Sequence, residues 1–132
     1  MNHAKHLAAL VGRVLLAFMF VYAGFNKIGG FAGTEAAIAS KDLPMPALAT
    51  VVAIVVEFVG GLMLVIGWKA RWAALAVAVF TFVASIYFHN FWAMADQAVR
   101  VNQLMFMKNV AVIGGLLMVF AFGPGRYSLD RG

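Results

Sequence analysis

Apolar and polar positions along this chain fall into four long apolar blocks, separated by short polar or glycine-rich breaks. The second block organises the rest. Residues 51–67 are almost wholly apolar, with Glu57 near the middle and Gly60 and Gly61 one turn later. With the residues just before it, the block is long enough to cross a bilayer, for which a helix needs about 20 apolar residues. A carboxylate at that depth is costly unless it is neutralised or paired. The expected spans are residues 7–28, 47–67, 73–88 and 104–122.

Helical spacing sorts the first block into faces. Arg13, Ala17, Phe20, Gly24 and Lys27 recur on one side, so that side carries two cations and small residues. Small residues let a neighbouring helix come close. Leu16 and Met19 are expected on the lipid side. Glycines 29 and 30 stop this helix. A short helix over residues 34–40, capped by Thr34, is expected to lie at the interface. Pro44 and Pro46 then open the second span. Trp68, Lys69, Arg71 and Trp72 form a boundary-type turn between spans two and three. His89 and Asn90 close the third span. Residues 93–103 are expected as a loop and residues 126–132 as a short polar tail. Short connections make neighbouring helices antiparallel. The fold class is therefore all-α, an integral membrane four-helix up-down bundle with a short interfacial helix in the first outer loop, forming a single domain over residues 1–132.

Composition strengthens this reading. Of 132 residues, 64% are hydrophobic and 11% charged, where a soluble domain carries about 25% charged residues. The net charge of +5 does not indicate nucleic-acid binding, because the cations are scattered and mostly flank apolar runs. Lys5, Lys69, Arg71, Arg126 and Arg131 gather on one side of the expected bundle, against Lys27, Lys41 and Arg100 on the other. That bias places both termini in the cytoplasm. The chain has no cysteine, which excludes disulfides and thiol redox carried by this chain alone. Arg13 interrupts the first apolar run, so that run reads as a retained helix and not a cleaved leader.

The chemistry-bearing residues form one constellation. Glu57 lies near the midplane, Arg13 toward the cytoplasmic side, and Lys27, His89, Lys108 and Asn109 toward the outer side. Arg13 and Lys108 are long enough to reach toward Glu57. The group is either a buried pair that fixes helix order or a ligand-contacting site. His3 and His6 are expected to be disordered N-terminal residues. One intramembrane histidine cannot supply two-histidine haem ligation, so no haem is expected. The methionines read as packing, so no metal is expected either. Gly60, Gly61, Gly114 and Gly115 are expected at close helix contacts.

The order of these features resembles the DoxX family of small bacterial membrane proteins. The resemblance rests on an Arg in span one followed by Gly24-Phe-Asn-Lys27, and on Leu43-Pro44 leading into Glu57-Phe-Val-Gly-Gly and Gly67. His89 at the end of span three, then Lys108-Asn109 with Gly114-Gly115 in span four, complete it. It implies a four-helix inner-membrane protein, with relatives linked to quinone-dependent sulfur oxidation or to oxidative and thiol stress. A redox-associated subunit would bind a quinone or similar small apolar ligand. Lys108, His89 or Asn109 would meet the carbonyl, Glu57 would handle a proton or set the charge of Arg13, and Tyr22 would line the apolar part. The alternative is a non-catalytic scaffold anchoring a partner oxidoreductase or stress-response enzyme. The expected partners are the lipid bilayer, such a partner subunit, or further copies of the chain.

Overall fold

Helix α1 runs Asn2–Gly29 and α2 Phe31–Ala39. Helix α3, Pro46–Ile54, continues through a π-turn, Val55–Val59, into α4, Gly60–Ile66. Helix α5 covers Ala70–Phe88, a 3-10 turn covers Phe91–Ala93, and α6 covers Asp96–Phe122. These elements come from a computed structural model that describes residues 2–132. Four stretches, His3–Gly29, Pro46–Ile66, Ala70–Ala93 and Asp96–Phe122, are long and apolar enough to cross a membrane.

The spans close into a ring. α1 packs on the π-turn and α4, α4 on α5, α5 most extensively on α6, and α6 returns to α1. One end of the bundle holds the start of α1, the α4–α5 connection and the C-terminal tail; it is called the terminal end below. The other holds α2 and the 3-10 turn, and is called the loop end.

Small residues set how tightly the ring closes. Ala17, Ala70, Ala73, Ala74 and Ala78 are buried beside Phe20, Leu64, Val77 and Leu116. The face of α1 expected to look inward does so: Arg13, Ala17, Phe20 and Gly24 are all buried. A Cβ on Gly24 would lie 2.6 Å from the Phe58 backbone nitrogen, and one on Gly61 would lie 2.8 Å from Val21 Cγ2. Span one therefore sinks onto span two over its whole middle. That sinking covers the flanks of α1, so Leu16 and Met19 are half-buried against the core, not lipid-facing. Leu15, Phe18 and Tyr22 hold the exposed side instead. Gly114 differs from expectation too, since a Cβ there would meet nothing within 4 Å.

The polar breaks also resolve differently from the pattern. Gly30, not Thr34, precedes α2, and Thr34 lies inside it. α6 starts at Asp96, because residues 96–103 are helical but too polar to register as apolar. The tail is docked rather than free. Gly67, with φ of +72°, ends α4, and the Trp68 N–H reaches the Met63 carbonyl at 2.9 Å. The Leu129 and Asp130 N–H groups then donate to the carbonyls of Ile66 and Gly67 at 3.0 and 2.9 Å. The Asp130 carboxylate accepts the N–H groups of Lys69 and Ala70 at 2.9 and 2.8 Å, where α5 begins. One tail residue thus serves the end of one helix and the start of the next. His6 and His3, expected to be disordered, lie within α1 and join this arrangement. The His6 ring accepts the Arg126 N–H at 3.2 Å, and His3 is hydrogen-bonded to the Tyr127 hydroxyl.

Candidate functional site: a cavity at the loop end

The loop end is hollow. An open cavity of about 1170 Å³ is lined by α1, α2, the α2–α3 connection, the second span, α5 and Lys108 and Asn109 of α6. Its polar lining includes Lys27, Glu57, Thr81, His89, Lys108 and Asn109. Most of the remaining lining is apolar.

Glu57 lies at the centre of the π-turn and is only 7% exposed. The π-turn widens the helix by one residue, as the Gly60 N–H reaching back to the Val55 carbonyl records. Lys27 Nζ lies 2.7 Å from Glu57 Oε1. The approach is close enough for an ion pair, yet Oε1 receives no hydrogen bond of acceptable geometry among the described residues. The Lys27 side chain is 28% exposed and Glu57 9%, so the ammonium is the more accessible member of the pair, and both line the cavity. Removing only one member of such a pair leaves the other charge poorly compensated.

Arg13 is not part of this group. It sits fourteen residues before Lys27 on the same helix, about 21 Å away along the axis. Its guanidinium is buried at the terminal end. There it donates to the main-chain carbonyls of Pro124, of Tyr127 at 2.9 Å and of Val65 at 3.3 Å. The expected approach of Arg13 to Glu57 is replaced by a clip that fastens the tail. Lys108 also makes no ion pair with Glu57 among the described residues; it is exposed and borders the cavity. The cation at Glu57 is Lys27, which the pattern places at a helix end. Its stem turns back into the bundle instead of out to the interface.

The remaining expected residues divide by task. Asn109 is buried and donates to Ser85 Oγ at 2.8 Å, while Ser85 donates to the Thr81 carbonyl and Thr81 to the Val77 carbonyl. This chain ties α6 to α5 and leaves the Asn109 carbonyl oxygen as an acceptor at the cavity wall. His89 is half-buried, with Nδ1 2.9 Å from Asn102 Oδ1. Asn102 Nδ2 is already given to the Ala98 carbonyl. Asn102 Oδ1 is therefore an acceptor, His89 donates from Nδ1, and Nε2 of the neutral ring is left as its one acceptor. Tyr22 is 60% exposed and stacks on Phe18 at the rim.

A second feature adjoins the cavity and has no counterpart in the sequence pattern. A wholly exterior groove of about 580 Å³ runs between the second span and α5, lined by residues such as Val56, Trp72, Leu75 and Val79. It shares Val52, Phe80 and Val83 with the cavity. The cavity and the groove thus adjoin, with these three side chains between them. Only the apolar periodicity of two helices hints at such a groove, and that periodicity also describes any lipid-facing helix.

The comparisons with known proteins agree with this architecture. The DoxX family model matches residues 8–90. Inner membrane protein YqjF of Escherichia coli is 39% identical over 131 residues, covering 99% of this chain and 95% of that protein. Inner membrane protein YphA of the same organism is 35% identical over 128 residues, covering 97% and 91%. A more distant relative, the Surfeit locus protein 4 homolog of Drosophila melanogaster, is 26% identical; the match covers 98% of this chain but 42% of that protein. No solved structure matches the chain. With a four-span bundle in place and two relatives matched almost end to end, the chain belongs to the DoxX family.

Proposed function

We propose that this protein is an inner-membrane, redox-associated subunit that holds a quinone or similar long-tailed carbonyl ligand, head in the loop-end cavity and tail in the exterior groove. The observation that carries this reading is that the two spaces adjoin at Val52, Phe80 and Val83, apolar side chains whose rotation would join them. A cavity with a few convergent polar groups in an apolar wall suits a small ligand's head. A groove that faces hydrocarbon suits a tail that never leaves the membrane. From Val83 back to Trp72, α5 offers about 16 Å of groove. Lys27 and Lys108 are donors for a carbonyl.

Tail length is the discriminating variable. A quinone with a decyl or longer tail should raise the unfolding temperature of detergent-extracted protein, and a tail-less benzoquinone should do so far less. Native mass spectrometry of gently extracted protein should find a long-tailed quinone bound. Equal stabilisation by both compounds, with no co-purifying ligand, would sink the proposal.

The cavity faces the periplasm in this reading. Lys5, Lys69, Arg71, Arg126 and Arg131 belong to the terminal end, whereas Lys27 at the loop end is turned inward to Glu57. The charge bias thus favours cytoplasmic termini. With no native cysteine in the chain, a single cysteine at Lys41 should react with an impermeant maleimide in intact spheroplasts, and one at Arg131 should not. The opposite pattern would reverse the orientation.

A further inference from the structure

The floor of the cavity offers an acceptor as well as donors, and this discriminates between ligand heads. Glu57 is more than nine-tenths buried and lines the cavity; Lys27 Nζ lies on its Oε1, and Oε2 has no hydrogen-bond partner among the described residues. Lys27, its ion-pair partner, is partly exposed on the same wall. The Asn109 carbonyl oxygen adds a second acceptor, since its amide nitrogen is committed to Ser85. A ligand carbonyl can use Lys27 but gives nothing to Glu57. A hydroxyl can do both, donating to the carboxylate and accepting from the ammonium. We infer that the cavity selects a head group bearing a hydroxyl, a phenol or hydroquinone, over the corresponding carbonyl or ether, through the Lys27–Glu57 pair. This rests on the ligand reading above and deepens it.

The physical basis is the strength of hydrogen bonds to ions. A hydroxyl donating to a buried carboxylate makes a short, charge-assisted bond, about twice as strong as a neutral one. Its removal while the acceptor stays buried costs the acceptor's desolvation. The ammonium stays on Oε1 while the hydroxyl donates to Oε2, so the pair need not open for the ligand to use it. In a redox setting, a tenfold preference for the hydroquinone raises the two-electron potential of the bound couple by about 30 mV.

The test uses redox-inert probes on the full chain in nanodiscs. Binding of dodecylphenol and of its methyl ether is titrated by intrinsic tryptophan fluorescence, with a decyl-tailed quinone as reference. The phenol is expected to bind about tenfold tighter than the ether. In Glu57→Gln that ratio should shrink several-fold, whereas a penalty due only to the ether's extra bulk would persist. Equal binding of phenol and ether by the native chain overturns the inference, even if the quinone binds. Binding of the quinone without any binding of the phenol overturns it as well. If none of the three binds, the cavity reading itself fails with it. The comparison on the native chain is decisive should the variant fail to fold.

Discussion

Gly24→Ala is expected to destabilise the protein by about 3 kcal/mol or more, the upper range for overpacking a closely fitted interface. The added methyl would sit 2.6 Å from the Phe58 nitrogen, 2.7 Å from its Cβ and 2.9 Å from its Cα. Two of these three atoms are backbone, so no rotamer change relieves the clash. Span one must lift away from span two, and the lift is centred on the π-turn that carries Glu57. Gly114→Ala is the matched control, because its new methyl meets nothing within 4 Å. Thermal unfolding in detergent should show a large drop for the first and almost none for the second. A similar drop for both would mean that helix approach is not what makes position 24 sensitive.

Arg13→Met should release the tail and cost on the order of 3 kcal/mol, the scale for leaving buried carbonyls without their donor. Arg13 is 3% exposed, and its guanidinium serves carbonyls of Val65, Pro124 and Tyr127. Methionine fills much of the volume but donates nothing, so buried acceptors lose their partner. The effect should be local in its first stage. The amides of Leu129 and Asp130, which bond to Ile66 and Gly67, should exchange hydrogen much faster, while those of the α5–α6 interface stay protected. Asp130→Asn removes one charge but keeps an acceptor, so it should cost only about 1 kcal/mol. Unchanged exchange at 129 and 130 in the Arg13 variant would show that the clip does not hold the tail.

These two positions also show what a sequence can and cannot disclose. The inward face of α1 is legible because it depends on side-chain size at helical spacing, and Ala17, Phe20 and Gly24 obey it. The four spans and their antiparallel order follow from apolar length and short connections. The partner of Arg13 is not legible. Depth along a span suggests a carboxylate, but the actual partners are main-chain carbonyls, two of them in a tail more than a hundred residues away, and every residue carries such a carbonyl. The π-turn is hidden for a similar reason, since residues 55–59 have no composition that separates it from α-helix. Lys27 is legible as a member of the polar constellation, but the sequence offers Arg13 and Lys108 as the cations for Glu57, because a lysine at a helix end ordinarily reaches for water. That expectation fails where a buried carboxylate lies within the span of its stem.

The exterior groove between the second span and α5 changes what concentration means for this protein. In the proposed function, an occupant reaches Val52, Phe80 and Val83 by two-dimensional diffusion, without passing through bulk solvent. The governing quantity is then its mole fraction in the surrounding amphiphile, not molarity. Adding detergent or lipid at a fixed total amount of ligand dilutes the occupant, so occupancy should fall as the amphiphile pool grows.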